Sequence, residues 1–213
     1  MQPKLLKLCA DSLRTFSKDK YDIKLKAAHA HELVAAFFGY SSKNTTLADT
    51  KYPISNLGQA EIIVMTPDVF IDQRREDLQE LSSELPDSYT LGEAVYDFLF
   101  SDEWWGSPYP PFRSFEKLAK LLVENNDAYK EVFKFSRDVP MHHIVEVKDE
   151  EDGVILTVLH AHRTSTEEIL GVGKTTIKLR RVAGRIGYGK PQVSVEQWTG
   201  DARRRLESLG VQL

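Results

Sequence analysis

The sequence predicts an α+β protein with an N-terminal helical part, a mixed middle and a C-terminal antiparallel meander sheet packed on helices. Apolar residues recur at helical spacing near the N-terminus, four alternating segments follow residue 139, and turns join those segments. Consecutive strands with short connections favour antiparallel pairing. We expect a helical module at 1–50 and an α+β domain at 51–213 with its sheet at 139–198, either as two domains or as one continuous domain.

The first 50 residues are predicted to form three helices. The first helix carries an apolar stripe made by Leu5, Leu6, Leu8, Cys9, Leu13 and Phe16. A second helix is expected from Ile23 to Phe38, and Gly39 suits a left-handed cap at its end. Either Ser42 or Asn44 provides the N-cap of a short third helix.

The segment that follows the second helix resembles a short helical module of bacterial glyoxalase-related proteins of unknown function. The resemblance covers about residues 5–50, and it rests on a Gly-aromatic helix end followed by Asn-Thr and Leu-Ala. The matching residues are Leu33, Ala35, Phe38, Gly39, Tyr40, Asn44, Thr45, Leu47 and Ala48. The resemblance implies a helical accessory module in a bacterial protein and no lactoylglutathione chemistry.

The middle of the chain mixes one strand with helices. The run AEIIVM predicts a short buried strand, and a helix is expected after Pro67. Thr90, with Glu93 three residues later, predicts the capping box of a further helix. A helix after residue 114 should break near Asn125 and Asn126. In the helix after Pro67, the residues expected to face inward are Val69, Leu78 and Leu81.

Composition is that of an ordinary soluble domain. Hydrophobic residues make up 41% and charged residues 28%, so a core of normal size is expected. The single cysteine, Cys9, fits a reducing cytosol. The first residues lack the apolar run of a signal peptide, and no stretch approaches the roughly 20 apolar residues of a membrane helix. We therefore expect a cytoplasmic protein.

Charge is distributed unevenly, although the formal net charge is only −4. Residues 68–103 hold eleven acids and two bases, whereas residues 174–205 hold nine bases and two acids. In the predicted strand TTIKLRRV, alternation directs Lys178 and Arg180 outward. Together with the arginines at 203–205, they predict a basic surface for an acidic partner. The competing interpretation is two solvated faces that neutralise each other within one molecule.

Four of the six histidines lie in a predicted hairpin, within MHHIVEVKDEEDGVILTVLHAHRT. If the apolar faces of its two strands coincide, His143, His160 and His162 lie together on one face. A change of one residue in register would gather His142 with His160 and His162 instead. The hairpin is therefore the one place where the sequence favours a metal or catalytic site.

Three neutral imidazoles suit zinc or another transition metal and leave one position for water. A general base would then come from outside the hairpin, and Glu32 or Glu167 is available. These residues predict a metal-dependent hydrolase. The competing interpretation is a set of histidines at the edge of a sheet, held in ordinary hydrogen bonds.

Two further segments carry weaker patterns. SDEWWGSPYPPF combines prolines and aromatics and predicts an ordered loop, in which Trp104, Trp105 and Tyr109 either form a binding lip or pin the loop to the core. GVGKTT lacks the first glycine of a phosphate-binding loop and precedes a strand pattern, so it predicts an ordinary turn.

These observations favour a non-enzymatic binding or interaction protein of the bacterial cytoplasm, with a protein as its partner. The first alternative is the metal-dependent hydrolase centred on the hairpin histidines. The second is a nucleic-acid-binding accessory protein that uses Lys178, Arg180 and the arginines at 203–205, although the net negative charge does not favour nucleic acid.

Overall fold

A computed structural model describes residues 2–65, 67–101, 109–132, 141–163 and 169–197, together with Arg204 and Ser208. The chain forms two compact units. Unit 1 comprises Met1–Arg113 and Arg181–Gly189, and unit 2 comprises Ser114–Arg180 and Lys190–Leu213. Helices come first and antiparallel strands last, which confirms the α+β class. The boundary predicted at residue 50 lies inside unit 1.

Unit 1 consists mainly of helices. Its elements are α1 (Gln2–Tyr21), α2 (Ala27–Phe37), α3 (Lys43–Ala48), a 3-10 helix (Ile54–Gln59), α4 (Pro67–Asp77) and α5 (Ser88–Ser101). The prediction that α2 begins at Ile23 was wrong. Helix α1 continues to Tyr21, and Asp22 then takes a positive φ of 58°, so the intervening residues form a connection before Ala27.

The core of unit 1 lies where these helices meet. The predicted stripe of α1 is buried there at Leu5, Leu6, Cys9 and Leu13. Each fully buried apolar side chain of this size contributes about 1.5–3 kcal/mol relative to exposure. The core therefore fixes the orientation of α2, whose C-terminus leads into α3.

Two predictions for α4 and α5 were wrong in detail. Val69 is 56% exposed rather than inward, and Ile71 takes the buried position in α4. Helix α5 begins at Ser88, because the Asp87 carboxylate accepts a hydrogen bond from the Thr90 backbone N–H at 2.7 Å. Asp87 therefore caps α5, and Thr90 lies within its first turn.

Unit 1 also contains a small antiparallel sheet. Strand β1 (Ile62–Ile63), the predicted buried strand, pairs with β5 (Gly187–Tyr188). Strand β5 pairs in turn with Arg181 and Ala183 at the end of β4 (Ile169–Ala183). Strand β5 lies in the segment GRIGYGKP, which joins the last two of the four predicted strands.

The described part of unit 2 combines helices with an antiparallel sheet. Helices α6 (Phe115–Glu124) and α7 (Asp127–Val132) are separated at the predicted break. The strands β2 (Met141–Glu150), β3 (Gly153–Arg163), β4 and β6 (Gln192–Gln197) lie in that order and pair antiparallel, which confirms the meander. Helix α6 packs against β2 and β3.

The segment GVGKTT lies within β4 and is not the predicted turn. In this segment, Gly171 lies opposite His162 of β3 and Thr176 lies opposite Thr157. Thr175 is fully buried. A β-branched residue in a buried ladder position favours an extended strand over a turn. No described helix is long and apolar enough to cross a membrane.

Candidate anion-binding cleft

The hairpin histidines are brought together by the backbone register. His143 lies opposite His160, and Met141 lies opposite His162. Directly opposed residues of an antiparallel pair share a face of the sheet. The register therefore places residues 143, 160 and 162 on one face of the sheet. It excludes the register shifted by one residue, which would place His142 with His160 and His162.

The side chains of these histidines lie outside the described residues, so the metal prediction stays a prediction. Within the described part of the chain, no group of three or more His, Cys, Asp or Glu residues could hold a metal ion. Of the two candidate bases, Glu167 also lies outside the described residues. Glu32 is engaged in unit 1, where its Oε2 lies 2.8 Å from Nη2 of Arg74.

The predicted aromatic lip is described only in part. Trp104 and Trp105 lie outside the described residues, and their role stays a prediction. Tyr109 is 42% exposed, and its ring centroid lies 6.5 Å from that of Phe112. Tyr109 is therefore accessible to a partner while remaining in contact with a neighbouring ring.

The alternation predicted for β4 is confirmed. Ile177 and Leu179 are buried, whereas Lys178 and Arg180 are exposed on the opposite face of the sheet. Of the arginines at 203–205, only Arg204 is described, and it is exposed. Because Arg203 and Arg205 lie outside the described residues, a single basic surface formed by these positions stays a prediction.

A further concavity lies in unit 1, and no sequence pattern pointed to it. It is a cleft of about 480 Å³ formed by the end of α2, the loop around α3, one face of α4 and the β4–β5 turn. Its lining residues are Gly39, Tyr40, Ser41, Thr45, Asp49, Tyr52, Phe70, Gln73, Arg74, Asp77, Arg181, Gly184 and Arg185. Protein clefts that hold small ligands have volumes of about 300–1,000 Å³.

The end of α2 begins the cleft. Gly39 has a φ of 81°, a left-handed conformation that favours glycine, as predicted for this position. Its N–H donates to the Ala36 carbonyl at 2.8 Å, and the Tyr40 N–H donates to the Ala35 carbonyl at 3.0 Å. This pair of bonds is a Schellman motif, which turns the chain sharply and directs it towards α3.

The β4–β5 turn is tied to this same corner. The Gly184 N–H donates to the Tyr52 carbonyl at 2.8 Å, and the Arg185 N–H donates to the Phe38 carbonyl at 3.0 Å. A Cβ atom on Gly39 would lie 2.6 Å from Cβ of Arg185, which is closer than real Cβ atoms approach. Gly39 therefore allows the side-chain stem of Arg185 to lie directly against the end of α2.

Asp49 organises the loop at the base of the cleft. Its carboxylate accepts hydrogen bonds from Tyr40 Oη at 2.6 Å and from the backbone N–H groups of Lys51 and Tyr52, both at 2.8 Å. Burial raises the pKa of Asp49, but these hydrogen bonds and the positive charge of Arg181 outweigh it, so the pKa lies below its ordinary value. Burial and the Asp49 carboxylate raise the pKa of Tyr40.

Two arginines of the cleft are held by other side chains. The guanidinium of Arg181 lies over the Tyr52 ring, 5.7 Å from its centroid. Arg74 pairs with Glu32 at 2.8 Å and with Asp77 at 3.4 Å. Because charged groups held in place lose little freedom on binding, these contacts preorganise the cationic lining.

The cleft gathers arginines and carboxylates in equal number. Arg74, Arg181 and Arg185 line it with Asp49 and Asp77, and Glu32 lies 2.8 Å from Arg74. Asp49 is kept ionised and Tyr40 is kept protonated, so neither group changes its protonation state near neutral pH. The arrangement suits the binding of an anionic group rather than proton transfer.

A comparison of the chain with protein-family models, curated proteins and solved structures finds no match. Inference about this protein therefore depends on its own residues.

Proposed function

We propose that this protein is a non-enzymatic binding protein that holds an anionic group of a partner protein in the cleft of unit 1. The observation that carries the proposal is the convergence of Arg74, Arg181 and Arg185 on one concavity. A guanidinium presents several donors in a planar fork that matches carboxylate oxygens. The resemblance of residues 5–50 to an accessory module supports a binding role in a bacterial cytoplasmic protein.

The aromatic lining supports a binding role as well. Tyr40, Tyr52 and Phe70 supply apolar surface beside the guanidinium groups. Concave sites that combine aromatic surface with a few placed polar groups are typical ligand sites. In contrast, exposed charges on a flat surface contribute little individually, about 0–1 kcal/mol each.

The test compares two exposed arginines that lie five positions apart in the sequence. Arg185 lines the cleft, and Arg180 lies on the exposed face of the sheet. The affinity for polyglutamate is measured by calorimetry at low salt. We expect Arg185→Ala to weaken binding about tenfold, which corresponds to the loss of one charge-assisted hydrogen bond. Arg180→Ala should leave the affinity unchanged.

The opposite result would contradict the proposal. If Arg180→Ala weakens polyglutamate binding and Arg185→Ala does not, the acidic partner binds the sheet face. Duplex DNA serves as a further probe at low salt, because affinity for nucleic acid falls steeply as salt is raised. Retention of DNA that is lost on charge reversal at Lys178 and Arg180 would favour a nucleic-acid-binding protein.

A metal-dependent hydrolase is the second candidate, and the hairpin register favours it. The register pairs His143 with His160, and His162 lies two residues further along the same strand. Residues two apart on a strand share a face, so the three histidine positions lie on one face of the sheet, and three imidazoles are a ligand set that suits zinc. Zinc or another transition metal is the expected cofactor.

Elemental analysis of protein purified without a histidine tag tests this candidate. We expect about one zinc, iron or manganese ion per chain, as for a single tetrahedral site. His160→Ala should abolish it, and His29→Ala, on helix α2, is the matched control that should retain it. Metal-free protein whose melting temperature does not change on addition of zinc would exclude the hydrolase.

A further inference from the structure

We infer that β2 pairs with β2 of a second copy of this chain, antiparallel and centred on Val147. This pairing concerns unit 2 and does not depend on the cleft of unit 1. Three features of β2 point to it: its place at the end of the sheet, an exposed valine on its apolar face, and the order of its charged residues.

Strand β2 lies at the end of the sheet. Among the described residues it pairs with β3 alone, so its other edge faces no described strand. The backbone N–H and C=O groups along such an edge can pair with a strand of another molecule. Many proteins protect an exposed edge by keeping its strand short, whereas β2 spans ten residues, Met141–Glu150.

The apolar face of the sheet continues onto β2. Val147 lies opposite Leu156 of β3, and Val145 lies opposite Val158. Leu156 and Val158 are fully buried, whereas Val147 is 45% exposed although helix α6 packs against both strands. A further strand beside β2 would cover this valine, and a valine directly opposite would add apolar contact.

Backbone geometry limits the registers in which β2 can pair with itself. Outward N–H and C=O groups occur at every second residue, so two copies pair only in registers where one residue lies opposite itself. In the register centred on Val147, Glu146 lies opposite Lys148 of the second copy, and two-fold symmetry repeats this pair. Asp149 and Glu150 then lie opposite uncharged residues.

The neighbouring registers lack this complementarity. Centring on residue 146 places Glu146 opposite itself, and centring on residue 148 places Lys148 opposite itself. Like charges directly opposite each other on two strands are destabilising. Centring on residue 145 places no lysine opposite an acid. The register at Val147 is therefore the one that charge favours among these four.

Lys148 is accessible for this pairing. Its side chain is 74% exposed, and its Nζ lies 2.5 Å from Oε1 of Glu150 in the same strand. An ammonium group carries three N–H donors, so the contact with Glu150 is compatible with a second one to Glu146 of the other copy.

Sedimentation of the intact protein tests the pairing. Residues 144–150 form a small interface, so we expect a weak dimer at micromolar concentration. Val147→Lys places two ammonium groups at the symmetry axis and should leave only monomer. Ser194→Lys, at an exposed position of β6, is the matched control and should dimerise like the wild type. A wild type that stays monomeric at millimolar concentration, or a dimer that Val147→Lys retains, would overturn the inference.

Charge exchange tests the register. Glu146→Lys and Lys148→Glu should each weaken dimerisation about tenfold, because each turns both symmetric pairs into like-charge pairs. The double variant restores opposite charges and should recover most of the wild-type affinity. Glu76→Lys, the same change at an exposed position of α4, should have no effect. A double variant as weak as the single variants would overturn the register.

Hydrogen exchange of the wild type requires no substitution. Alternate backbone amides of residues 144–150 should become protected as the protein concentration rises through the dimerisation range, because the second copy accepts their hydrogen bonds. The amides of β6 should exchange at unchanged rates. Protection of residues 144–150 that does not change with concentration, in a protein that dimerises, would overturn the assignment of the interface to β2.

Discussion

The cleft of unit 1 and the exposed face of the sheet in unit 2 both carry arginines, but they hold them in different ways. On the sheet, Lys178 and Arg180 are directed into solvent by the regular alternation of a strand. In the cleft, Arg181 lies over Tyr52 and Arg74 is paired with Glu32. Arg180 and Arg181 are neighbours in the sequence and yet belong to these two different settings.

The difference shows that basic residues in a sequence do not by themselves define a binding site. Exposed charges on a flat face are hydrated and screened by salt. Side chains that are already held in place in a concave lining lose less conformational entropy on binding. We therefore propose that recognition takes place in the cleft, and we expect Lys178 and Arg180 to be solvated.

The largest effect is expected at Gly39, which ends α2 and lines the cleft. Gly39→Ala places a Cβ at a φ of 81° and 2.6 Å from Cβ of Arg185. We expect the free energy of unfolding to fall by about 2–3 kcal/mol, since the left-handed conformation alone costs about 1–2 kcal/mol in an L-residue. Urea denaturation provides the measurement.

Gly58→Ala is the matched control for this variant, because Gly58 is an exposed glycine of the 3-10 helix. We expect its effect to stay within about 0.5 kcal/mol. If Gly39→Ala also changes the free energy of unfolding by less than about 0.5 kcal/mol, close packing of the Arg185 side chain against Gly39 is not required for stability.

A smaller, pH-dependent effect is expected at Asp49. Its pKa is lowered in the folded state, so its stabilisation is present above the unfolded pKa of about 3.9 and is lost as pH falls through the folded pKa. We expect Asp49→Asn to reduce the free energy of unfolding by about 1 kcal/mol near pH 7. The difference from the wild type should shrink as pH falls below about 4.

Asp19→Asn is the control, because Asp19 is exposed on α1. Its free energy of unfolding near pH 7 should stay within about 0.5 kcal/mol of the wild type. A gap between wild type and Asp49→Asn that stays constant with pH would show that the charge of Asp49 is not what stabilises the loop.

The smallest effects are expected on the sheet face. Lys178→Ala and Arg180→Ala remove exposed side chains, so each should change the free energy of unfolding by less than about 0.5 kcal/mol. Thermal denaturation at matched salt measures this. A loss above about 1 kcal/mol would show that these side chains contribute to the packing of unit 2.

Local patterns in the sequence were sufficient for much of the fold. The alternation in β3 and β4 and the helix break at Asn125–Asn126 depend on residues close in the chain. So does the N-cap of α3, which is Ser42, one of the two residues predicted for it. Gly39 was likewise expected to end α2, and it does so. Such features follow from backbone geometry and burial over a few residues, which a sequence records directly.

The cleft could not be predicted in the same way. Its lining comes from residues 39–52, 70–77 and 181–185, and only the folded chain brings these segments together. The pairing of β1 with β5 joins two-residue strands that are too short for an alternating pattern. Val69 was misassigned because the choice between neighbouring apolar positions in α4 depends on tertiary packing.

Titration of isotope-labelled protein with polyglutamate, followed through backbone amide NMR signals, tests the central claim most directly. We predict that the signals of Ser41, Tyr52 and Arg185 shift with a common dissociation constant, because they line the cleft. The signals of Thr176 and Lys178 on the sheet should not move. Shifts confined to the sheet residues, with the cleft signals unchanged, would contradict the account.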